Sequence, residues 1–322
     1  MLRRYLLIAL SLGSLTVASQ VSAQTYPERP IKILQGFAPG GNADAIARAM
    51  GQEMTKGLGQ PMVVEAQAGA GGTIAATTVS KAKPDGYTLL LATGGHAVAG
   101  ALYNNLAYRT VQDFEMVSTI TYFPFLVVVP ANSKFANLSA LLATAKANPD
   151  QISYGTAGIG STHHLAGELL ASMSKTQLLH VPYRGDSGSL AALLAGDIPM
   201  IIAPPTAVMA NIKAGKLKAL ATTGPQRWSV LSDVPTVTEQ GVTGYDVRSW
   251  AGLMAPAGTP KPIIDQLNAE VQKALLVPAV KTRLEEMGGE VRGSTPEEMK
   301  TLVASQTQKW IQVVNEAKIP KQ

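Results

Sequence analysis

The sequence predicts an α/β fold in which mostly parallel sheets are flanked by helices. The first observation is a series of short apolar runs of strand length, separated by segments with helical periodicity. The second is that glycine-rich turns join several of these runs to the helix that follows. Alternating strands and helices favour parallel sheets with helices on both faces. The chain has 322 residues, enough for two domains of ordinary size.

Each predicted strand is a short apolar or β-branched run bounded by turn residues. The predicted helices at 43–57 and 138–147 repeat apolar residues three and four positions apart, as a helix with one buried face does. A last helix begins at Thr295-Pro296-Glu297-Glu298, a capping box with proline at the first helical position. The predicted strands are, in chain order, 31–34, 62–64, 88–91, 126–129, 152–154, 178–181, 198–202 and 217–221.

The first residues have the pattern of an export signal. Arg3 and Arg4 precede the apolar run 6–17, and Val21-Ser22-Ala23 has the small-x-small spacing of a signal-peptidase site. The apolar run is shorter than the roughly 20 residues that a membrane-spanning helix needs, which disfavours the alternative of a retained anchor. We therefore expect a periplasmic protein whose signal peptide, residues 1–23, is cleaved after Ala23.

The composition excludes several classes of function. The chain has no cysteine, so it has no disulfides, no thiolate nucleophile and no sulfur ligands for structural zinc. The net charge is +5, and two of the positive charges lie in the leader. Lysine and arginine are spread singly along the predicted helices, which is not the pattern of a nucleic-acid binder. The mild positive charge suits an anionic ligand, and nothing in the pattern calls for a cofactor or a metal.

Two glycine-rich segments each join a predicted strand to a predicted helix. The first is Gln35 to Asp44, and the second is Gly155 to His163, which adds serine and threonine hydroxyls. The N-terminus of a helix binds anions through its free amides, so the two segments together favour a carboxylate site. The alternative is that each is only a tight turn. A third segment, 69–72, is interpreted as another such turn that could line the same cleft.

None of these glycine segments matches a nucleotide-binding motif. The first lacks the Lys-Ser/Thr of a P-loop, and the second and third lack the last glycine of the dinucleotide fingerprint.

Over almost its whole length after the leader, the chain resembles the extracytoplasmic solute receptors of tripartite tricarboxylate transporters, also called the Bug receptor family. The resemblance rests on an ordered set of motifs rather than on any one of them. These motifs are Tyr26-Pro27-Glu28-Arg29-Pro30-Ile31, Gly36-Phe37-Ala38-Pro39-Gly40-Gly41 with Asp44, Pro84-Asp85-Gly86-Tyr87, Tyr154-Gly155-Thr156-Ala157-Gly158, Gly160-Ser161-Thr162-His163-His164, Val181-Pro182-Tyr183-Arg184-Gly185, Asp233-Val234-Pro235-Thr236 and Ala255-Pro256-Ala257-Gly258.

The resemblance implies a two-domain fold of the periplasmic-binding-protein type II kind, with a hinge between the domains. It places domain 1 at 24–125 plus 250–322 and domain 2 at 126–249, with the chain crossing between them near 124–126 and 249–250. It implies a receptor that is not an enzyme, works as a monomer and delivers a small carboxylate to the membrane subunits of the transporter. A periplasmic sensor that signals to a membrane partner remains an alternative.

The resemblance also implies which residues bind the ligand. Two loops of the family grip a carboxylate through amides, hydroxyls and bridging waters. The alternative role of Asp44 is to cap the helix, because an acid repels an acidic ligand. The expected ligand-binding residues are Phe37, Gly40, Gly41 and Asp44 in the first loop, and Thr156, Gly160, Ser161 and His163 in the second.

Some residues depart from the family pattern and leave the identity of the ligand open. Pro199 and Ala203 stand where acids are frequent, so this wall of the cleft is expected to be more apolar. Asp186 stands where small residues are usual; it could meet an amine-bearing end of the ligand, but we expect it to cap a helix at 188–195. Trp250 lies near the expected hinge and could stack on an aromatic ligand or pack in the core.

Two enzyme hypotheses are weaker. A hydrolase would use Ser161 with His163, but there is no Gly-x-Ser-x-Gly elbow. A metal site would use His163, His164 and Glu168, whose spacing is more typical of a side-chain pair along a helix.

Overall fold

The structure of the protein is a computed structural model that describes residues 26–322. The predicted signal peptide and its cleavage after Ala23 lie outside these residues. Within 26–322, no helix is both long and apolar enough to span a bilayer.

The described residues form eleven β-strands and ten α-helices. The strands are β1 (Ile31–Gln35), β2 (Met62–Ala66), β3 (Thr88–Thr93), β4 (Phe114–Pro124), β5 (Leu126–Pro130), β6 (Ile152–Thr156), β7 (Leu178–Pro182), β8 (Met200–Ala203), β9 (Leu217–Thr222), β10 (Arg248–Pro256) and β11 (Glu290–Val291). The helices are α1 (Asn42–Leu58), α2 (Thr73–Ser80), α3 (Gly95–Leu102), α4 (Leu138–Ala147), α5 (Thr162–Ser174), α6 (Asp186–Ala195), α7 (Pro205–Lys213), α8 (Lys261–Leu276), α9 (Pro278–Glu286) and α10 (Pro296–Glu316).

The strands form two sheets, and each sheet is the centre of one lobe. The first has the order β11-β4-β10-β3-β1-β2, and the second has the order β7-β6-β8-β5-β9. The two-domain α/β fold predicted from the sequence is confirmed. Both sheets are mixed rather than mostly parallel: β1 is parallel to β2 and β3, but β10 is antiparallel to β3 and β4. In the second sheet, β6 is parallel to β7 and β8, but β5 is antiparallel to β8 and β9.

Two of the antiparallel strands, β5 and β10, are those on which the chain enters the other lobe. The chain leaves the first sheet at the end of β4 and enters the second at the start of β5, so only Phe125 separates the two sheets. It returns to the first sheet at the start of β10. A strand that arrives from the other lobe enters a sheet from the opposite end to the strands of the βαβ units, which explains its antiparallel direction.

Thr223 ties the two crossings together. Its amide donates to the carbonyl of Phe125 at 3.0 Å, and the amide of Phe125 donates to its Oγ1 at 2.8 Å. Its Oγ1 also donates to the carbonyl of Val247 at 2.6 Å, and the Val247 amide donates back to the Thr223 carbonyl at 2.9 Å. The outgoing and the returning chain are therefore bonded to the same residue.

The helices form where the sequence pattern predicts them. On α1, Ile46, Met50 and Met54 are buried against the first sheet, as their spacing requires. The last helix has the expected capping box, in which the Glu298 amide donates to Thr295 Oγ1 at 3.2 Å and the Thr295 amide donates to Glu298 Oε2 at 2.8 Å. Trp310 anchors this helix in the core with 1% of its surface exposed.

Candidate ligand-binding site

A cavity lies between the two lobes, at the carboxyl ends of the parallel strands. Ligands of open α/β sheets bind at this edge because the strand-to-helix loops converge there. The first lobe, together with the crossing strands, contributes Phe37, Asn42, Ala43, Thr93, Phe123, Phe125 and Ser249, and the second lobe contributes Thr162, His163, Asp186 and Pro204.

The first predicted loop joins β1 to α1 and brings the N-terminus of α1 to the cavity. Gly40 has φ +79°, a left-handed conformation that favours glycine. Gly41 is the N-cap and provides no side-chain hydrogen bond to the first turn. Since Asn42 and Ala43, the next two residues, line the cavity, the positive end of this helix faces the space between the lobes.

Asp44 holds this loop in place. Its Oδ2 accepts from the Gly40 amide at 3.1 Å and from Arg48 Nε at 2.8 Å, and its Oδ1 accepts from Arg48 Nη2 at 3.1 Å. Burial favours a higher pKa for Asp44, but the bonds from Arg48 and Gly40 outweigh it and leave the pKa below its ordinary value. The carboxylate is thus occupied within its own lobe and does not line the cavity.

The second predicted loop joins β6 to α5, and its hydroxyls mostly serve the loop itself. Ser161 caps α5: its Oγ donates to the Gly158 carbonyl at 2.6 Å and accepts from the His164 amide at 3.3 Å. Thr156 Oγ1 lies 2.7 Å from His180 Nε2. Neither Ser161 nor Thr156 has any exposed surface. In this loop, therefore, the two residues after the cap are the ones that line the cavity.

Those two residues are Thr162 and His163, at the N-terminus of α5, and both carry unpartnered polar atoms. Thr162 Oγ1 is buried and has no hydrogen-bond partner within residues 26–322. His163 Nε2 accepts from the Ala157 amide at 2.9 Å, so a neutral imidazole carries its hydrogen on Nδ1. That Nδ1 is also buried and has no partner in the described chain. The sequence prediction contained His163 and missed Thr162.

Asp186 lines the cavity beside His163, which corrects the prediction that it caps a helix at 188–195. The helix begins at Asp186 itself, and Gly185, with φ +117°, is the N-cap and provides no side-chain cap. The Asp186 side chain does not cap the helix. Its Oδ1 lies 3.2 Å from His163 Nε2, and this oxygen is buried without a hydrogen-bond donor among residues 26–322.

Behind the second loop, His164 and His180 pack against each other and support the loop. The rings of His164 and His180 stack at 4.2 Å. Burial lowers the pKa of His164 to about 4 and that of His180 to about 3, so both are neutral near pH 7. The Tyr154 hydroxyl donates to Glu168 Oε1 at 2.6 Å, and burial raises the pKa of Glu168. This cluster holds the loop from inside the lobe.

The geometry does not support the two enzyme hypotheses. Ser161 Oγ is bonded to Gly158 and to the His164 amide, so it is not paired with His163 as a nucleophile requires. Within the described part of the chain, no three His, Asp or Glu side chains are arranged to hold a metal ion.

The lobes contact each other around the cavity, so the cleft is closed. Thr206 Oγ1 donates to Asn42 Oδ1 at 2.9 Å across the cleft. The third glycine segment also lies at this contact: a Cβ built on Gly71 would lie 2.7 Å from the Ile159 carbonyl oxygen and 2.7 Å from the Gly160 carbonyl carbon. The absence of a side chain at Gly71 therefore allows the two loops to meet.

Of the other residues left open by the sequence, Trp250 lies away from the cavity. It is 2% exposed and borders a separate surface hollow that also contains Arg248 and Arg292. Ala203 is fully buried, and the next residue, Pro204, forms the apolar wall of the cavity.

Comparison with known proteins identifies the family. The model of the tripartite tricarboxylate transporter family receptor, TctC, matches residues 46–319. The protein BugT of Bordetella pertussis is 34% identical over 318 residues, which cover 98% of each chain. The periplasmic binding protein BugD superposes with a TM-score of 0.88 at 36% identity, over 92% of this chain and 100% of BugD. MatC from Rhodopseudomonas palustris, solved with bound malate, superposes with a TM-score of 0.86 at 36% identity, over 90% of this chain and 100% of MatC. The chain belongs to the receptors of the tripartite tricarboxylate transporter family, and it is a solute-binding receptor rather than an enzyme.

Proposed function

We propose that this receptor works in the periplasm, binds a small carboxylate between its lobes and delivers it to the membrane subunits of a tripartite tricarboxylate transporter. The observation that carries the proposal is the pair of buried, unpartnered polar atoms, Thr162 Oγ1 and His163 Nδ1, in a cavity that also receives the N-terminus of α1. A buried donor without a partner is costly, so such atoms indicate a site that a ligand completes. MatC, a structural relative, holds malate.

The binding mode follows from the donors that are available. Among the described residues that line the cavity there is no lysine or arginine. A carboxylate would therefore be held by neutral donors and by two helix N-termini, which stabilise an anion without a fixed cation. Charge-assisted hydrogen bonds contribute about 1.5 to 3 kcal/mol each, and three or four of them support micromolar affinity after the costs of association.

The eight predicted site residues take two roles in this proposal. Phe37, Gly41 and His163 contact the ligand directly, together with Thr162. The other predicted residues shape the two loops that present these groups. The loop-shaping residues are Gly40, Asp44, Thr156, Gly160 and Ser161.

We also propose domain limits and a closing motion. Residues 24–125 with 250–322 form one domain and residues 126–249 form the other. The ligand is enclosed when the two turn towards each other about the tied crossings at Phe125 and Val247. We expect the receptor to act as a monomer, since the site is built from one chain.

The first test is a melting-temperature screen of residues 24–322 against succinate, malate, adipate, citrate, benzoate and the amino acids aspartate and γ-aminobutyrate. A ligand at 100 times its dissociation constant adds about 2.7 kcal/mol to the free energy of unfolding. Calorimetry should then give one site per chain, and the compound should be recovered unchanged. If no carboxylate raises the melting temperature, the proposed function is wrong.

The second test is a pair of matched variants. Thr162→Val removes the unpartnered hydroxyl in the cavity but keeps the shape of the side chain. We expect it to weaken binding of the best compound about tenfold, since one hydrogen bond is lost. Thr222→Val is the control, because Thr222 Oγ1 is also buried and unpartnered but lies outside the cavity. Equal effects of the two variants would contradict the placement of the ligand beside Thr162.

Transport is tested in cells. Deleting the gene should abolish uptake of the radiolabelled compound that the screen identifies, and the native gene should restore it. Normal uptake in the deletion strain would contradict delivery to a transporter and favour a sensory role.

A further inference from the structure

The side chain that the proposed function does not explain is Asp186. It is 7% exposed and lines the cavity, and Oδ1 of its carboxylate has no hydrogen-bond donor within the described residues. It is also the one acidic side chain among the residues that line the cavity, where no lysine or arginine is present. A buried carboxylate without a partner is strongly unfavourable, so this oxygen requires a donor from outside the chain.

His163 is near enough to be that donor, but its hydrogen bonds prevent it. His163 Nε2 lies 3.2 Å from Asp186 Oδ1 and also accepts the Ala157 amide hydrogen at 2.9 Å. A ring nitrogen carries either a hydrogen or a lone pair, never both. Because the Ala157 amide uses the lone pair of Nε2, the histidine has no hydrogen to donate at this atom. Two acceptors therefore face each other, and the carboxylate remains unsatisfied.

Asp186 is the first residue of α6, so the positive end of that helix lies beside its carboxylate. A ligand that carries only carboxylates would place its negative charge beside this one. A ligand that also carries a cation would give Asp186 its missing donor.

We propose that the ligand of this receptor is a zwitterion, a small amino acid whose ammonium group binds Asp186 while its carboxylate binds Thr162 Oγ1, His163 Nδ1 and the helix N-termini. The inference rests on the proposed function, and it adds the ammonium group and assigns Asp186 as the residue that selects it. Thr162, His163 and Asp186 line the same cavity, so one small molecule can contact all three.

The test compares pairs of compounds that differ by an amino group. The probes are aspartate with succinate, β-alanine with propionate, and γ-aminobutyrate with butyrate, each titrated by calorimetry at pH 7.5 into residues 24–322. We expect the amino compound of at least one pair to bind more than tenfold tighter than its partner.

The variant Asp186→Asn keeps the shape and removes the charge. We expect it to weaken the amino compound at least tenfold and to tighten succinate several-fold, because the repulsion is gone. Asp265→Asn, at a carboxylate that is 53% exposed and paired with Lys261, is the control and should leave all affinities unchanged.

The outcomes separate this inference from the proposed function. If plain carboxylates bind the native protein as tightly as their amino partners, the zwitterion inference is wrong and the carboxylate receptor stands. Retention of the amino preference by a folded Asp186→Asn protein would also overturn it. If neither kind of compound binds, the proposed function fails and this inference fails with it. The comparison of pairs on the native protein decides the question even if the variant does not fold.

Discussion

Replacing Gly71 with alanine should hinder closure of the cleft without harming either lobe. A Cβ at this position would lie 2.7 Å from the Ile159 carbonyl oxygen and 2.7 Å from the Gly160 carbonyl carbon, both of them in the opposite lobe. These are backbone atoms of a loop that is held by its own hydrogen bonds, so they cannot move aside as a flexible side chain can. The open protein has no such conflict, because the lobes are then apart.

The size of the effect follows from the cost of overfilling a packed contact, which is about 1 to 3 kcal/mol. Since that cost falls on the closed state alone, it appears as weaker binding. At about 1.4 kcal/mol per factor of ten, the affinity should fall by about 5- to 140-fold.

Alanine at position 71 also carries a cost in backbone conformation, which a control variant measures separately. Gly71 has φ +64°, a conformation that costs an alanine about 1 kcal/mol. Gly59 has φ +70° and open space where its Cβ would lie. Gly59→Ala therefore carries the same backbone cost without the contact. Both variants should melt about 2 to 4 °C below the native protein, and only Gly71→Ala should lose affinity.

The assay is calorimetric titration of both variants with the compound from the carboxylate panel that raises the native melting temperature most. Equal affinities for Gly71→Ala and Gly59→Ala would refute the reasoning, because the ligand-bound protein would then not bring the two loops together as described.

Two further predictions concern Gly41, at the cavity, and the buried His96. Gly41→Leu should abolish binding, because a Cβ at this position would lie 3.6 Å from Oδ2 of Asp186, which lines the cavity. The φ of −80° accepts a side chain, and the nearest atom, the Ala38 carbonyl oxygen of the same loop, would lie 3.3 Å from that Cβ, so the melting temperature should fall only a little. Binding of any panel compound by this variant would contradict the site. His96 is buried, which lowers its pKa to about 4, whereas the unfolded chain has the ordinary value near 6.5. The unfolded state therefore takes up a proton first, and stability falls as the pH drops from 6.5 to about 4. At pH 5.5 this lowers the free energy of unfolding of the native protein by about 1.4 kcal/mol. His96→Gln lacks the titrating group, so between pH 7.5 and 5.5 its free energy of unfolding, measured with urea, should fall by about 1.4 kcal/mol less than that of the native protein. Identical pH profiles of the two proteins would show that His96 does not titrate as described.

The predicted strands were those whose apolar character is visible locally. Three strands, β4, β10 and the two-residue β11, were not predicted. Both β4 and β10 contain polar residues or glycine. In β4, Ser118, Thr119 and Thr121 are buried because their hydroxyls donate to the chain at 290–294, more than 160 residues away. A local sequence pattern cannot reveal such distant partners, so the three hydroxyl residues hide the fact that β4 is a buried strand.

In the site, too, features set by neighbouring residues were predictable from the sequence, and features set by residues far apart in the chain were not. The glycine-rich turns were predictable because a strand, a turn and a helix follow each other in sequence, and a helix N-terminus has the same chemistry in any fold. The importance of Thr162 and Asp186 was not predictable. It depends on which polar atoms stay without a partner after the lobes have met, and that is a property of the three-dimensional packing.

The bonds of Thr223 to both connecting segments have a mechanical consequence. Two separate tethers would allow one lobe to slide or twist against the other, but here both are fastened to a single threonine. We therefore expect the lobes to swing apart about one axis through that residue. Opening would break the contact of Thr206 with Asn42, and the chain would move least at Phe125, which is bonded directly to Thr223. A solute would then enter where the lobes have parted and reach a wall at Phe125 that hardly moves.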